Sequence, residues 1–182
     1  MSKVFVMYSA LNDGTVKIAE EVKNKAEAKG AEVIFYNLDD KGQEKLCMGC
    51  QECKEIMGTQ FGCPLKDFVY DVYDYALAAD TIISVTSIAD TCFFGTQRYK
   101  NVINRLLVAL HKFNDQPKAH SLIKGRGYFT IGTYDDNEAN VEMFKMITEK
   151  YGPHFESGKS DVIVCKAGDL SAADKIVEEA FA

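Results

Sequence analysis

Residues 3–30 read KVFVMYSALNDGTVKIAEEVKNKAEAKG. Lys3 to Tyr8 is a short apolar run after its first residue and reads as a buried strand. From Gly14 to Lys29 the apolar residues Ile18, Val22 and Ala26 recur four apart on one face, which reads as a helix, and Gly30 supplies a C-terminal stop. Between them lies Ser9 to Val16, a polar loop that runs from a strand end into a helix N-terminus. Whether this strand–loop–helix unit repeats decides the fold.

It does repeat. Ala31–Tyr36 reads as a second strand, and Asp67–Ala79 as a helix with Val69, Val72, Tyr73, Ala76 and Leu77 in its stripe. Thr81–Thr86 reads as a strand, and Thr96–Lys112 as a helix carrying Val102, Ile103, Leu106, Leu107 and Leu110. Gly127–Gly132, Asn137–Tyr151, Asp161–Cys165 and Ser171–Phe181 continue the alternation, with Asn137 as the expected cap of its helix. Near-continuous apolar strands joined by helices imply a parallel sheet covered on both faces. Right-handed crossovers leave few topologies. Five strands favour a flavodoxin-like three-layer α/β/α sandwich of order 2-1-3-4-5 over the six-strand dinucleotide fold. No repeat or linker divides the chain, so residues 1–182 are expected to form one domain, with a cysteine-rich loop at 44–66.

The 182 residues carry 21 basic and 27 acidic side chains, a formal charge of −6, with 47% apolar and 26% charged residues. This composition fits a soluble globular domain. No long basic run exists, which disfavours nucleic-acid and anionic-membrane partners. The apolar run at the N-terminus is too short for a signal or membrane-spanning segment. A cytoplasmic location with reduced thiols is therefore expected.

In a doubly wound sheet ligands bind beyond the carboxyl ends of the strands. Three loops lie there. The first, SALNDGTV (Ser9–Val16), offers Ser9, Asn12 and Thr15, a glycine at Gly14 and unpaired helix N–H groups. These suit a phosphate, and equally an ordinary capped turn. Asp13 would have to point outward or cap the helix. The loop matches neither the dinucleotide fingerprint nor the P-loop. The second, TSIADTCFFGTQ (Thr86–Gln97), is long for its place and carries Phe93 and Phe94, which suit a flat heterocycle or pack beneath their own loop. The third, TIGTYDDNEAN (Thr130–Asn140), can form a second wall of the same pocket or a plain turn.

Six cysteines are present. Cys47, Cys50, Cys53 and Cys63 form C-x2-C-x2-C-x9-C-P. Three closely spaced thiols with one distant partner fit an iron–sulfur cubane. Zinc and no metal at all remain open alternatives. Cys165 ends an apolar strand and reads as a small buried hydrophobe, whereas Cys92 falls in the second loop. His111, expected on the polar side of its helix, and His120 and His154, expected in loops, show no metal-site spacing.

The chain resembles the NAD(P)H-dependent FMN reductase group of flavodoxin-like proteins, in particular the iron–sulfur flavoproteins. The likeness rests on the N-D-G-T loop, CMGCQEC…GCPLKD with its Lys66–Asp67 pair, AADTIISVTS and YKNVINRL. Where members carry Ser-Pro-x-Tyr, this chain reads Thr86, Ser87, Ile88, Ala89. The resemblance implies FMN, with its phosphate at Ser9, Leu11, Asn12, Gly14, Thr15 and Val16. It implies a flavin ring between Thr86, Ser87, Ile88, Ala89 and Phe94 on one side and Gly132 and Thr133 on the other. It further implies a 4Fe–4S cluster on the four cysteines and NAD(P)H as hydride donor, with electrons passed to an acceptor or redox partner. A homodimer or homotetramer is expected, and no catalytic side chain is required. A flavodoxin-like electron carrier without nicotinamide activity and a zinc-stabilised binding module are the alternatives.

Overall fold

A computed structural model describes residues 1–50, 52, 63–90, 94–110 and 124–182, and of 108–110 the backbone alone. Its strands are β1 (Lys3–Ser9), β2 (Glu32–Asn37), β3 (Thr81–Ser87), β4 (Gly127–Tyr134) and β5 (Lys159–Lys166). Its helices are α1 (Asp13–Ala28), α2 (Val69–Ala78), α3 (Gln97–Leu110), α4 (Val141–Thr148), α5 (Tyr151–His154) and α6 (Ser171–Phe181). All strand pairings are parallel, and the order is β2-β1-β3-β4-β5. The expected topology is the observed one.

Side chains of the central strands alternate between two cores, as a pleated strand requires. Val4, Val6 and Tyr8 face α1 and α6, together with Ile18, Val22 and Ile176. Phe5 and Met7 face the opposite layer, where α2 and α3 contribute Val72, Tyr73, Val102, Ile103 and Leu106. Every residue of β3 is buried, as expected of a central strand covered on both sides. No helix among the described residues is long and apolar enough to cross a membrane.

Several boundaries differ from the sequence reading. The helix expected over Asn137–Tyr151 is two pieces. Asn137 does not cap it: Val141 is the first helical residue, and the Asn137 carbonyl oxygen Oδ1 accepts from the Ala139 N–H instead. Gly152 and Pro153 fall in the first turn of α5, where a missing proline N–H costs nothing. His154 therefore sits in a short helix rather than a loop, while His111 and His120 lie outside the described residues. Finally, β3 runs on to Ser87 and β4 to Tyr134, past their expected ends at Thr86 and Gly132, through the pairs Ser87↔Thr133 and Tyr134↔Lys166. That extension turns three residues expected in loops, Ser87, Thr133 and Tyr134, into paired strand.

Candidate site at the carboxyl edge of the sheet

The topological switch point lies between β1 and β3, whose helices α1 and α3 cover opposite faces. The loop after β1 is held there by side chains from three other segments. Asn12 caps α1 by accepting from the Thr15 N–H at 2.8 Å and the Thr15 hydroxyl at 3.0 Å. Thr15 Oγ1 in turn lies 2.9 Å from Ser87 Oγ and 2.6 Å from Thr133 Oγ1. The Leu11 N–H donates to Ser87 Oγ at 2.9 Å. A hydroxyl has one proton and two acceptor sites. With Thr15 donating to Asn12, the Ser87 and Thr133 protons are both taken by Thr15, so the cluster is closed on itself.

The Ser9 hydroxyl is closed in the same way. It donates to Asp39 Oδ1 at 2.8 Å and lies 2.5 Å from Thr96 Oγ1. The other Asp39 oxygen accepts the Ala10 N–H at 2.7 Å. Across the crevice, the Asn12 amide donates to both oxygens of Asp135 at 3.1 and 3.2 Å. Asn137 donates to Asp90 Oδ1, and Asn140 to the Ala89 and Asp90 carbonyls, which joins the loops after β3 and β4. Asp13 is exposed and leaves the cap to Asn12.

The candidate residues thus divide by depth. Ser9, Thr15, Thr86, Ser87, Ile88, Gly132 and Thr133 form a buried floor. Leu11 stands out at 65% exposure, and Asn12, Gly14, Val16, Ala89 and Phe94 lie at intermediate depth. Phe93 lies outside the described residues. The two glycines serve the protein's own packing. A Cβ on Gly14 would fall 2.8 Å from the Gly168 nitrogen, so the close approach is to the β5–α6 turn. A Cβ on Gly132 would fall 2.3 Å from Phe144 Cε1. Around the rim Asp13, Asp39, Asp40, Asp90, Asp135, Asp136 and Glu138 are all exposed. Burial pushes up the pKa of the Tyr8 hydroxyl, and Asp40, Glu20 and Asp39 push it further.

The cysteine segment leaves and rejoins the domain beside α3. Arg98, Asn101 and Arg105, three and four apart, line one helix face. Arg98 Nη1 donates to the Leu38, Lys41 and Gly42 carbonyls, and Asn101 donates to Glu44. Arg105 is 1% exposed and donates to both Asp67 oxygens at 2.6 and 2.5 Å, to the Leu65 carbonyl and to Cys63 Sγ at 3.4 Å. Cys63 belongs to the core under α2 and α3, whereas Cys47 and Cys50 are exposed. Cys53 and Cys92 lie outside the described residues. Among the described residues no group of three or more metal-ligating side chains is gathered. The three described cysteines of this segment therefore do not fit a shared metal in this arrangement. Cys165 is a buried thiol, as its place in an apolar strand implied, and burial pushes it up to about 11. Sequence reading missed Asp39, Asp135, Arg98 and Arg105. Only the two arginines left a signal, as charges spaced along a helix face beside its apolar stripe.

No family model matches the chain, and no curated sequence does. Solved structures do. A flavodoxin from the domain Archaea superposes with a TM-score of 0.58 at 16% identity, covering 98% of this chain and 96% of that one. This is the flavodoxin fold. An FMN-dependent NADH-azoreductase from Bacillus anthracis, in complex with FMN, gives a TM-score of 0.63 at 12% identity, over 100% and 98% of the two chains. The flavodiiron protein from Giardia intestinalis gives 0.60 at 12% identity, and this chain spans 36% of its length. The flavodoxin-like domain accordingly places its crevice where that fold places ligands, beyond the carboxyl ends of β1, β3 and β4.

Proposed function

We propose that the chain is a flavin-dependent oxidoreductase of the NAD(P)H-dependent FMN reductase type. The observation that carries this reading is the crevice at the switch point. There Thr15, Ser87 and Thr133 join the loops after β1, β3 and β4 into one floor. The azoreductase supports the cofactor and the NADH donor by likeness of fold.

The residues fit a flavin in part. Ala89, Phe94 and exposed Leu11 offer apolar surface for a flat ring at the rim of that floor, above buried Ile88. The N–H groups of Asp13 and Gly14, at the start of α1, take no acceptor among the described residues and aim a positive partial charge outward. The hydroxyls of Ser9 and Thr15, by contrast, are already engaged. The bound flavin would supply the two-electron chemistry, taking hydride from a nicotinamide. The chain's part is to hold the ring, keep its inner side dry and leave the outer side open. No protein acid or base is needed, so none is named.

A 4Fe–4S cluster on Cys47, Cys50, Cys53 and Cys63 stays a proposal beside this one, and no electron step is routed through it. Iron and labile sulfide near about four per chain in anaerobically purified protein would establish the cluster, and zinc near about one would establish a zinc site. A homodimer or homotetramer in the cytoplasm completes the reading. The likeness to an archaeal flavodoxin favours a second reading, an electron carrier that receives electrons from a protein. Steady-state oxidation of NADH and NADPH with added FMN separates the two. Turnover supports the reductase, and absence of turnover with either nucleotide leaves the carrier.

A further inference from the structure

We propose that Asp39, seconded by Asp135, sets the flavodoxin-like site against the flavin 5′-phosphate, so that riboflavin and FMN bind with similar affinity. This inference rests on the flavin reading above. The donors of the β1–α1 loop that lie nearest β1 are the Ser9 hydroxyl and the Ala10 N–H. The two oxygens of Asp39 already hold both, at 2.8 and 2.7 Å. Asp39 is thus an internal anion occupying the donors that an external anion would use.

The segment that carries Asp39 is built to keep it there. The Leu38 N–H donates to the Tyr8 carbonyl at 2.9 Å, and the Asp39 N–H to Asn37 Oδ1 at 2.9 Å. Arg98 Nη1 pins the Leu38, Lys41 and Gly42 carbonyls on the far side. The remaining side chain of the loop is spent as well. Asn12 accepts from Thr15 and donates to both oxygens of Asp135. A phosphate dianion here would meet the carboxylates of Asp39 and Asp135. The cation beside Asp39 is Arg98, whose Nε lies 4.0 Å from Asp39 Oδ1 and 3.4 Å from Glu44 Oε2. Like charges a few ångströms apart repel, and the two free N–H groups of α1 offset only part of that. The ring and the neutral ribityl chain carry no such penalty.

The test is titration of flavin fluorescence with FMN and with riboflavin, on wild type, Asp39→Asn and Asp135→Asn. The expected wild-type ratio of the two dissociation constants is under tenfold. Asp39→Asn, which removes the charge and keeps an acceptor, is expected to tighten FMN about tenfold and leave riboflavin within about twofold. Riboflavin binding by the same variant shows that it is folded, and Asp135→Asn is expected to move FMN in the same direction. A wild type that prefers FMN by tenfold or more, or an Asp39→Asn that binds FMN no better, overturns the proposal while the flavin reading stands. If neither flavin binds wild type, the flavin reading itself fails and the proposal falls with it.

Discussion

The Arg105 guanidinium donates to both carboxylate oxygens of Asp67, with the two side chains 1% and 5% exposed. The pair ties α3 to the residues just before α2. Because Lys45 also donates its N–H to Asp67, one ion pair anchors both feet of the cysteine segment.

Removing one partner leaves a buried charge uncompensated, which costs about 3–5 kcal/mol. Arg105→Ala and Asp67→Asn are each expected to lower stability by that order, read as the midpoint of urea unfolding. The double variant Arg105→Met, Asp67→Leu is expected to recover much of the loss, because no charge is then stranded.

Gly132 is the narrow point between β4 and α4. A Cβ there would meet the fully buried Phe144 ring. Overpacking of this kind costs about 1–3 kcal/mol. Gly132→Ala is expected to lower the Tm accordingly, and Phe144→Leu in the same chain to restore part of it.

Thr15 is the hub of the floor. Thr15→Val keeps the shape and removes the hydroxyl, leaving the buried Ser87 and Thr133 hydroxyls short of a partner, while Asn12 keeps the Thr15 N–H. Each stranded buried group costs about 1–3 kcal/mol. Thr15→Ser retains the bonds and is expected to stay near wild type by thermal unfolding.

Cys165 makes stability depend on alkaline pH. Burial raises the folded thiol from 9.0 to about 11. The unfolded thiol therefore ionises first. The contribution is fully present below the unfolded pKa and is lost as pH rises from about 9 toward about 11. Two pKa steps set an upper bound of about 2–3 kcal/mol. Unfolding curves of wild type and Cys165→Ala at pH 8 and pH 11 test this. The wild type is expected to lose more stability over that interval, and equal losses would show that the thiol plays no part.

Much of the fold was legible because its signals are local. The apolar run of β3 and the four-residue spacing of Ile18, Val22 and Ala26 are read within a single element. The break at Glu149–Lys150 was less legible, since the helical periodicity runs across it. The depth of the site was not legible at all. Ser87 and Thr133 look like loop hydroxyls until the register of β3 on β4 carries them into the sheet.

The amino-acid sequence by itself determined the alternation of strand and helix, and with it the parallel sheet. Apolar runs that must be buried on both faces allow few other arrangements. Only the tertiary structure decided what faces the loop after β1. Asp39 lies 30 residues from Ser9, and Asp135 lies 123 from Asn12. A hydrogen bond needs its partners within about 3 Å. No periodicity along the chain encodes such a meeting, because the folding of the whole sheet brings the groups together.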